Sequence, residues 1–120
     1  MKEVIFYRLK SGKSPIEEFL DTLSSKEAQK VIWVLQLLEE ANTVSTKFYK
    51  YLSSSDGIVE VRIQHGTNHI RLLGFEHNGT FVVLTNAFRK KDQKVPKHEI
   101  VLAQKRKKEY LNNERLKKIH

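Results

Sequence analysis

The chain has 120 residues, of which 39% are hydrophobic and 30% are charged, a composition typical of one folded domain with a modest core. It contains no cysteine, which excludes disulfides and thiol chemistry and favours a reducing compartment. No apolar run approaches the length of a membrane span, and the first residues lack a signal-peptide cleavage pattern. We therefore expect a cytoplasmic protein with no membrane partner.

The net charge of +8 comes from the end of the sequence. Residues 1–88 carry ten Lys/Arg and ten Asp/Glu, whereas residues 89–120 carry twelve and four. Such asymmetry is typical of a surface that binds a polyanion, most simply nucleic acid. The alternative is a solvated basic helix with a frayed tail. The five histidines follow no metal-binding pattern, so no metal is expected.

The N-terminal part predicts one strand followed by two helices. The strand is expected over residues 4–9. Ser14 is placed as the N-cap of the first helix, with Glu17 completing a capping box. The second helix starts in the same way, with Ser24 as cap and Glu27 three residues later.

The second helix is apolar over more than one stripe, because Ile32, Trp33, Val34 and Leu37 widen its hydrophobic face. One interpretation is that these residues all pack into the core. The other is that an exposed remainder around Trp33 is a partner surface.

Three strands are predicted after this helix, over residues 58–64, 69–76 and 81–88. The first alternates apolar and polar residues, as half-buried strands do. The last two are joined by Asn78 and Gly79, the favoured pair for a two-residue type I′ turn.

A basic helix over about residues 96–112 closes the chain. The order of elements predicts an α+β domain spanning residues 1–120, built on an antiparallel sheet with two N-terminal helices and a C-terminal basic helix. The last eight residues are a candidate flexible tail.

The predicted strand register brings charged side chains together. The type I′ turn places Arg71 opposite Asn86. A four-residue loop over residues 65–68 places Arg62 opposite Arg71, whereas a loop of three or five residues would turn Arg62 to the other face. Two opposed arginines repel, and Glu60 on the same face offsets only part of that charge. The surplus favours an anion site, but Arg71 could instead be a buried structural arginine paired with Glu60.

Three stretches of the sequence, GIVEVRIQHGTNHIRLLGF, FRKKDQKVPKHEI and AQKRKKEY, together resemble the RelE superfamily of bacterial toxins. They are most similar to its HigB-like, phage-associated branch. With the early helical pair, the similarity spans nearly the whole chain. The matched positions are Asp56, Gly57, Glu60, Arg62, Arg71, Phe88, Lys90, Lys91, Lys94, Pro96, Glu99 and Ile100.

The resemblance implies a RelE-like fold and the toxin role of a type II toxin-antitoxin system. The implied activity is that of a cofactor-free, metal-independent endoribonuclease (an mRNA interferase) that cuts mRNA on the ribosome. A ribose 2′-hydroxyl would attack the adjacent phosphorus, leaving a 2′,3′-cyclic phosphate and a 5′-hydroxyl end. The implied protein partner is a helix-turn-helix antitoxin, through which alone the toxin would associate with DNA.

This chemistry needs a base, cations for the phosphorane charge, and an acid for the leaving oxygen. By matched position, Arg71 and then Arg62 are the predicted phosphate clamps, because the guanidinium fork binds two oxygens and stays charged. Lys90 or Lys91 is the predicted acid or second stabiliser, since crowded lysines have lowered pKa values. Glu60 is the candidate base, or else only a salt-bridge partner for the arginines.

His69 and Tyr110 are the alternative proton-transfer residues. Asn86 and Ala87 depart from the family pattern before the Phe, which puts the proton-transfer roles in question. The alternative function is a non-catalytic RNA-binding or protein-interaction module of the same fold. The predicted RNA-binding cations, which would contact phosphates sequence-independently, are Lys94, Lys97, Lys105, Arg106, Lys107 and Lys108.

The nuclease hypothesis requires one spatial arrangement that the sequence cannot show. Arg71 lies within a predicted strand, and Lys90 lies at the junction before the closing helix. Both side chains must converge on a single concave spot that fits a sugar–phosphate link.

Overall fold

The computed structural model describes residues 2–91 and 94–119. Two helices follow the first strand, four strands come next, and a long helix ends the described chain. The elements are β1 (Glu3–Phe6), α1 (Pro15–Asp21), α2 (Ser25–Glu40), β2 (Tyr49–Tyr51), β3 (Ile58–His65), β4 (Asn68–His77), β5 (Phe81–Arg89) and α3 (Lys97–Ile119).

The strands form one five-stranded sheet in the order β1-β5-β4-β3-β2. Strands β2 to β5 pair antiparallel, but β1 runs parallel to β5. The predicted α+β class is therefore confirmed, whereas the purely antiparallel sheet is wrong. Because α1 and α2 separate β1 from the meander, no hairpin constrains the direction of β1, and the long connection allows a parallel pairing.

Helices cover both faces of the sheet. Helices α1 and α2 pack on one face, where Val31, Val34 and Leu38 meet the buried residues of the strands. Helix α3 packs on the other face, where Ala103 meets a short apolar row. That row consists of Ile58, Leu73 and Phe88. Because side chains alternate along strands, the same face continues beyond this row into charged residues.

The helix caps follow their sequence signals with one exception. Ser24 and Glu27 form the full reciprocal capping box at the start of α2. Ser14 accepts a hydrogen bond from the Glu17 N–H as predicted, but the Glu17 carboxylate binds Arg8 instead of completing a second box.

Three element boundaries differ from the prediction. Strand β1 covers only Glu3–Phe6 rather than residues 4–9. The short strand Tyr49–Tyr51 was not predicted, because three residues give no readable alternation. The closing helix continues to Ile119 instead of ending near residue 112.

No helix within residues 2–91 and 94–119 combines the length and the apolar character needed to cross a membrane.

The β4–β5 turn uses the predicted residues in a different register. Asn78 and Gly79 have positive φ angles of 54° and 70°, as a type I′ turn requires. However, the ladder pairs His77 with Phe81 and not with Thr80. The turn therefore shifts the predicted pairing of the two strands by one residue.

A β-bulge adds a second shift of one residue, because Thr85 has no partner between the pairs of Leu73 and Gly74. Arg71 consequently lies opposite Phe88, and the predicted pairing of Arg71 with Asn86 is wrong. A shift of one residue would turn side chains to the other face, but two shifts restore the face. Asn86 therefore still shares a face with Arg71.

Gly74 makes the bulge possible. A Cβ atom at this position would overlap the backbone carbonyl oxygen of Val83, so no other residue fits without moving the strand. The Thr85 hydroxyl donates to the Leu73 carbonyl at 3.2 Å and thus satisfies a buried group where the ladder is interrupted.

Glu27 ties the start of α2 to the sheet. Its carboxylate accepts two hydrogen bonds from Arg89, at 2.8 and 3.1 Å, and one from Asn68 at 3.1 Å. The hydrogen bonds from Arg89, followed by the one from the Ser24 backbone N–H, lower the pKa of Glu27 from 4.5 to about 2. Arg89, the first cation of the basic junction, is thus used by the fold.

We predict that Glu27→Gln destabilises the protein at neutral pH and flattens its acid dependence. The pKa of Glu27 is lower in the folded than in the unfolded state, so its contribution is complete above about pH 4.5 and is lost as pH falls towards 2. Urea unfolding from pH 7 to pH 2.5 should show the wild type losing its advantage over the variant. Glu18→Gln, at an exposed carboxylate, is the control. Parallel pH profiles for wild type and Glu27→Gln would contradict the prediction.

Candidate anion-binding cleft

Two arginines and one carboxylate form the centre of the charged region. Arg62 lies directly opposite Arg71 on the adjacent strand, as predicted, although the connecting loop contains only residues 66–67. Arg71 Nε lies 3.3 Å from Glu60 Oε2, and Arg62 Nε lies 3.5 Å from Glu60 Oε1. Glu60 and Arg71 are only 3% and 5% exposed. Glu60 thus separates two like charges that would otherwise repel across the strands.

These contacts are ion pairs by distance, but they are not aligned as hydrogen bonds. Arg71 Nε, Arg62 Nε and Glu60 Oε2 are buried without a hydrogen-bond partner in the described part of the chain. Burial chiefly lowers the pKa of Arg71, with a further decrease from Arg62 that Glu60 opposes. Arginine nevertheless keeps its proton. Two guanidinium groups against one carboxylate leave a net positive charge with unused donors.

Lys90 adds a third cation at the same place. Its backbone N–H donates to the His69 carbonyl at 2.8 Å, which extends the β4–β5 ladder beyond Arg89. Partial burial and the charge of Arg71 lower the pKa of Lys90, and Arg62 lowers it further. The register of β4 and β5 therefore places Lys90 on the same sheet face as Arg71. Lys90 is not among the residues that line the cleft, and its convergence with Arg71 on one concave spot stays a prediction.

A cleft of 390 Å³ opens beside this cluster at the edge of β3. Strand β2 pairs with Val59–Val61 of β3, and the Arg62 N–H donates to the Phe48 carbonyl. Within the described residues, the edge of β3 is therefore free only beyond Arg62. The residues that line the cleft come from α2, the segment before β2, and strands β3 and β4. They are Lys30, Lys47, Phe48, Arg62, Ile63, Gln64, Gly66, His69 and Arg71.

The sequence did not predict the cleft residues that come from outside β3, β4 and their connecting turn. Lys30 lies on α2, and Lys47 and Phe48 lie just before the unpredicted strand β2. No periodicity links them to Arg71, because only the packing of α2 and β2 along β3 brings them to the same cleft. Only information on long-range contacts could have identified these residues.

The structure separates the two candidate bases. Glu60 is buried between two arginines, which fits the salt-bridge interpretation. His69 is partly exposed and lines the cleft two residues from Arg71 on the same strand face. Adjacent same-face positions are about 7 Å apart along a strand, so His69 is within reach of a group bound by Arg71.

Two predicted RNA-binding cations are engaged within the fold. Arg106 donates to the Thr85 carbonyl at 2.8 Å, and its guanidinium lies 5.6 Å from the centre of the Tyr7 ring. Lys107 donates to the Asp56 carbonyl at 2.7 Å. Both side chains therefore hold α3 against the sheet and its loops.

The other predicted cations lie on the surface. Within the described residues, their side chains form no ion pair or hydrogen bond, so their RNA contacts stay a prediction. They are Lys91, Lys94, Lys97, Lys105 and Lys108.

Asn86 and Tyr110, two further candidates from the sequence, make their contacts away from the cleft. Asn86 donates to the Glu99 carboxylate at 2.9 Å and to the Glu99 carbonyl at 3.1 Å, which fixes the first turn of α3. The Tyr110 ring packs against Phe75 and His77, at 5.6 Å from each ring centre. Phe75 follows Arg71 by four residues along β4, so this contact lies about 13 Å from Arg71.

Within residues 2–91 and 94–119, no group of three or more His, Asp or Glu side chains is arranged to hold a metal ion. The metal-independent chemistry implied by the resemblance stays a prediction.

The fold and cleft define a class of small basic α+β proteins with a cationic cleft at the edge of a mixed sheet. The sequence model of the family described as "Phage derived protein Gp49-like (DUF891)" matches residues 18–108, which is most of the chain. The chain therefore belongs to the Gp49-like phage-derived family. This family is associated with RelE-like toxins. No curated protein matches the sequence.

We predict that Lys90→Met stabilises the protein at low ionic strength. The pKa of Lys90 is lowered in the folded state, so its charged form at neutral pH opposes folding, and this penalty would fade only as pH rises towards the ordinary lysine pKa. The gain should be less than about 1 kcal/mol, because solvent screens a half-exposed charge. Urea unfolding at pH 7 measures it.

Lys94→Met, at an exposed cation, is the matched control and should change stability less than Lys90→Met. Added sulfate should narrow the gap between the wild type and Lys90→Met, because a bound anion relieves the repulsion. A Lys90→Met variant less stable than Lys94→Met would contradict the electrostatic argument.

Proposed function

We propose that this protein is the toxin of a type II toxin-antitoxin system, of the HigB-like branch, and acts as a metal-independent endoribonuclease on mRNA. The observation that carries the proposal is that Arg62 and Arg71 both line an open cleft, with the buried carboxylate of Glu60 between them. Membership of a family associated with RelE-like toxins supports it.

The cleft supplies what phosphodiester cleavage by a neighbouring hydroxyl needs. The ribose 2′-oxygen forms a bond to phosphorus while its proton passes to a base, and the bond to the 5′-oxygen breaks as that oxygen receives a proton. Negative charge grows on the nonbridging oxygens between these events. The guanidinium groups of Arg62 and Arg71, which line the cleft, suit that charge, and removing one such donor typically costs about 100- to 1,000-fold in rate.

Proton transfer is assigned by access. His69 is the proposed base, because it lines the cleft and a ring nitrogen of neutral imidazole can accept a proton. Glu60 is assigned to hold the arginines in place. Lys90 is the proposed acid, since a lowered pKa makes its proton easier to release, and the exposed Lys91 is its alternative.

The exposed lysines outside the cleft suit a partner with many phosphates. Contacts of this kind give affinity without sequence preference, which fits ribosomal RNA around a bound message. A helix-turn-helix antitoxin is the proposed protein partner that restrains the activity in the cytoplasm.

We predict that Arg71→Ala abolishes RNA cutting and growth arrest. Loss of the guanidinium removes the main phosphate clamp, but it also leaves Glu60 with a single partner, and breaking a buried ion pair costs about 3–5 kcal/mol. Arg71→Ala should therefore also be combined with Glu60→Gln, which removes both members of the pair. Translating ribosomes are incubated with each variant, and new 5′-hydroxyl ends are mapped.

Arg71→Lys tests the geometry, since it keeps the charge and loses the fork, and we expect a loss of at least about 100-fold. Arg8→Ala removes an exposed, surface-paired arginine and should cut like the wild type. Circular dichroism establishes that each variant is folded. Full cutting by folded Arg71→Ala would contradict the assignment, and RNA binding by the wild type without any cutting would favour a non-catalytic RNA-binding module.

A further inference from the structure

Helix α2 presents an aromatic side chain that the core does not use. Trp33 is 48% exposed, although the core-facing residues Val31, Val34 and Leu35 of the same helix are buried. Of the two interpretations of this helix, partner surface or core, the exposure supports the first for Trp33.

Trp33 belongs to a small aromatic and cationic group. Its ring meets the ring of Phe48 edge to face, with centroids 5.6 Å apart and planes at 73°. Lys30 Nζ lies 4.7 Å from the Trp33 ring centre, and Lys47 Nζ lies 5.6 Å from the Phe48 ring centre. We call Trp33, Phe48, Lys30 and Lys47 the aromatic platform.

The aromatic platform is continuous with the cationic cleft. Phe48, Lys30 and Lys47 line the same cavity as Arg62 and Arg71. The Phe48 carbonyl also accepts a hydrogen bond from the Arg62 backbone N–H at 2.8 Å. A strand bound at the arginines would therefore leave the cleft directly over the platform.

We propose that the aromatic platform stacks an unpaired base of the single-stranded RNA whose phosphate occupies the arginine cleft. Aromatic rings alternating with cations are the features that bind single strands, since rings stack bases and cations hold phosphates. Lys30 and Lys47 give the platform the charge that complements a polyanion. The inference rests on the proposed function for its ligand class, and it adds where the strand runs beyond the scissile link.

The chain offers a direct probe, because Trp33 is the sole tryptophan. We use a single-stranded RNA hexamer whose 2′-hydroxyls are methylated, so that binding is measured without cutting. Titration into the full-length wild type should quench the Trp33 fluorescence in a saturable way. Unchanged fluorescence at saturation, as judged by anisotropy of a fluorescein-labelled hexamer, would overturn the proposal.

Variants then separate stacking from general surface effects. Trp33→Ala should weaken hexamer binding about 5- to 150-fold, the range expected for loss of one stacked base, and Trp33→Phe should restore most of it. Ile32→Ala is the matched control, because Ile32 is 44% exposed on the same helix but lines a different groove. Equal affinities for Trp33→Ala and Ile32→Ala would overturn the proposal in favour of a protein-docking surface.

Salt dependence tests the lysines. Replacing both Lys30 and Lys47 by Gln should reduce the slope of log affinity against log salt by about 1.4, since each single-strand phosphate contact contributes about 0.7. An unchanged slope would remove the lysines from the platform. These measurements do not depend on catalysis. If an unmodified RNA hexamer binds and quenches Trp33 but is not cut, base stacking on the aromatic platform is supported and only the nuclease activity is rejected.

Discussion

Glu60 is the residue on which the site depends, because it stands between two arginines that the sheet register forces to face each other. A pairing of Arg62 with Arg71 is unfavourable by itself, and burial increases the cost. One carboxylate reduces this cost without cancelling it, and the Nε–H groups of both arginines lack aligned partners in the described chain. The arrangement therefore keeps a net positive charge within a folded sheet, and such a charge suits an anion. A loss of stability of this kind is common at the sites where proteins bind or react.

The distribution of charge along the chain predicts a polyanionic partner, but it does not identify the residues that line the cationic cleft. Arg89 of the basic junction binds Glu27. Arg106 and Lys107 of the closing helix hold that helix in place. The cleft instead collects Lys30 and Lys47 from the half of the sequence that is neutral overall. Net charge is a property of the sequence. An anion, however, responds to charges within a Debye length, which is about 8 Å at physiological salt. Only the fold determines which charges lie that close together.

The features predicted well from sequence were local. The helix N-caps, the strand alternation of β3 and the pairing register of β3 with β4 each depend on a few neighbouring residues, and they place Arg62, Arg71 and Glu60 correctly. The errors arose where distant segments meet. The direction of β1 is set by its parallel pairing with β5. Strand β2 is too short to be recognised from the sequence. The bulge at Thr85 needed Gly74 on the opposite strand, and it preserved the face of Asn86 only because the turn had shifted the register as well.

The central claim is that Arg62 and Arg71 act together as one anion site at the free edge of β3. It is tested most directly by NMR of the arginine Nε–H groups during titration with a 2′-O-methyl dinucleotide, which carries a single internucleotide phosphate. The account predicts that the resonances of Arg62 and Arg71 shift along one saturable curve while Arg8 stays unchanged. If Arg62 and Arg71 stay unchanged while Arg115 of α3 shifts, the phosphate binds the helix and the account is contradicted.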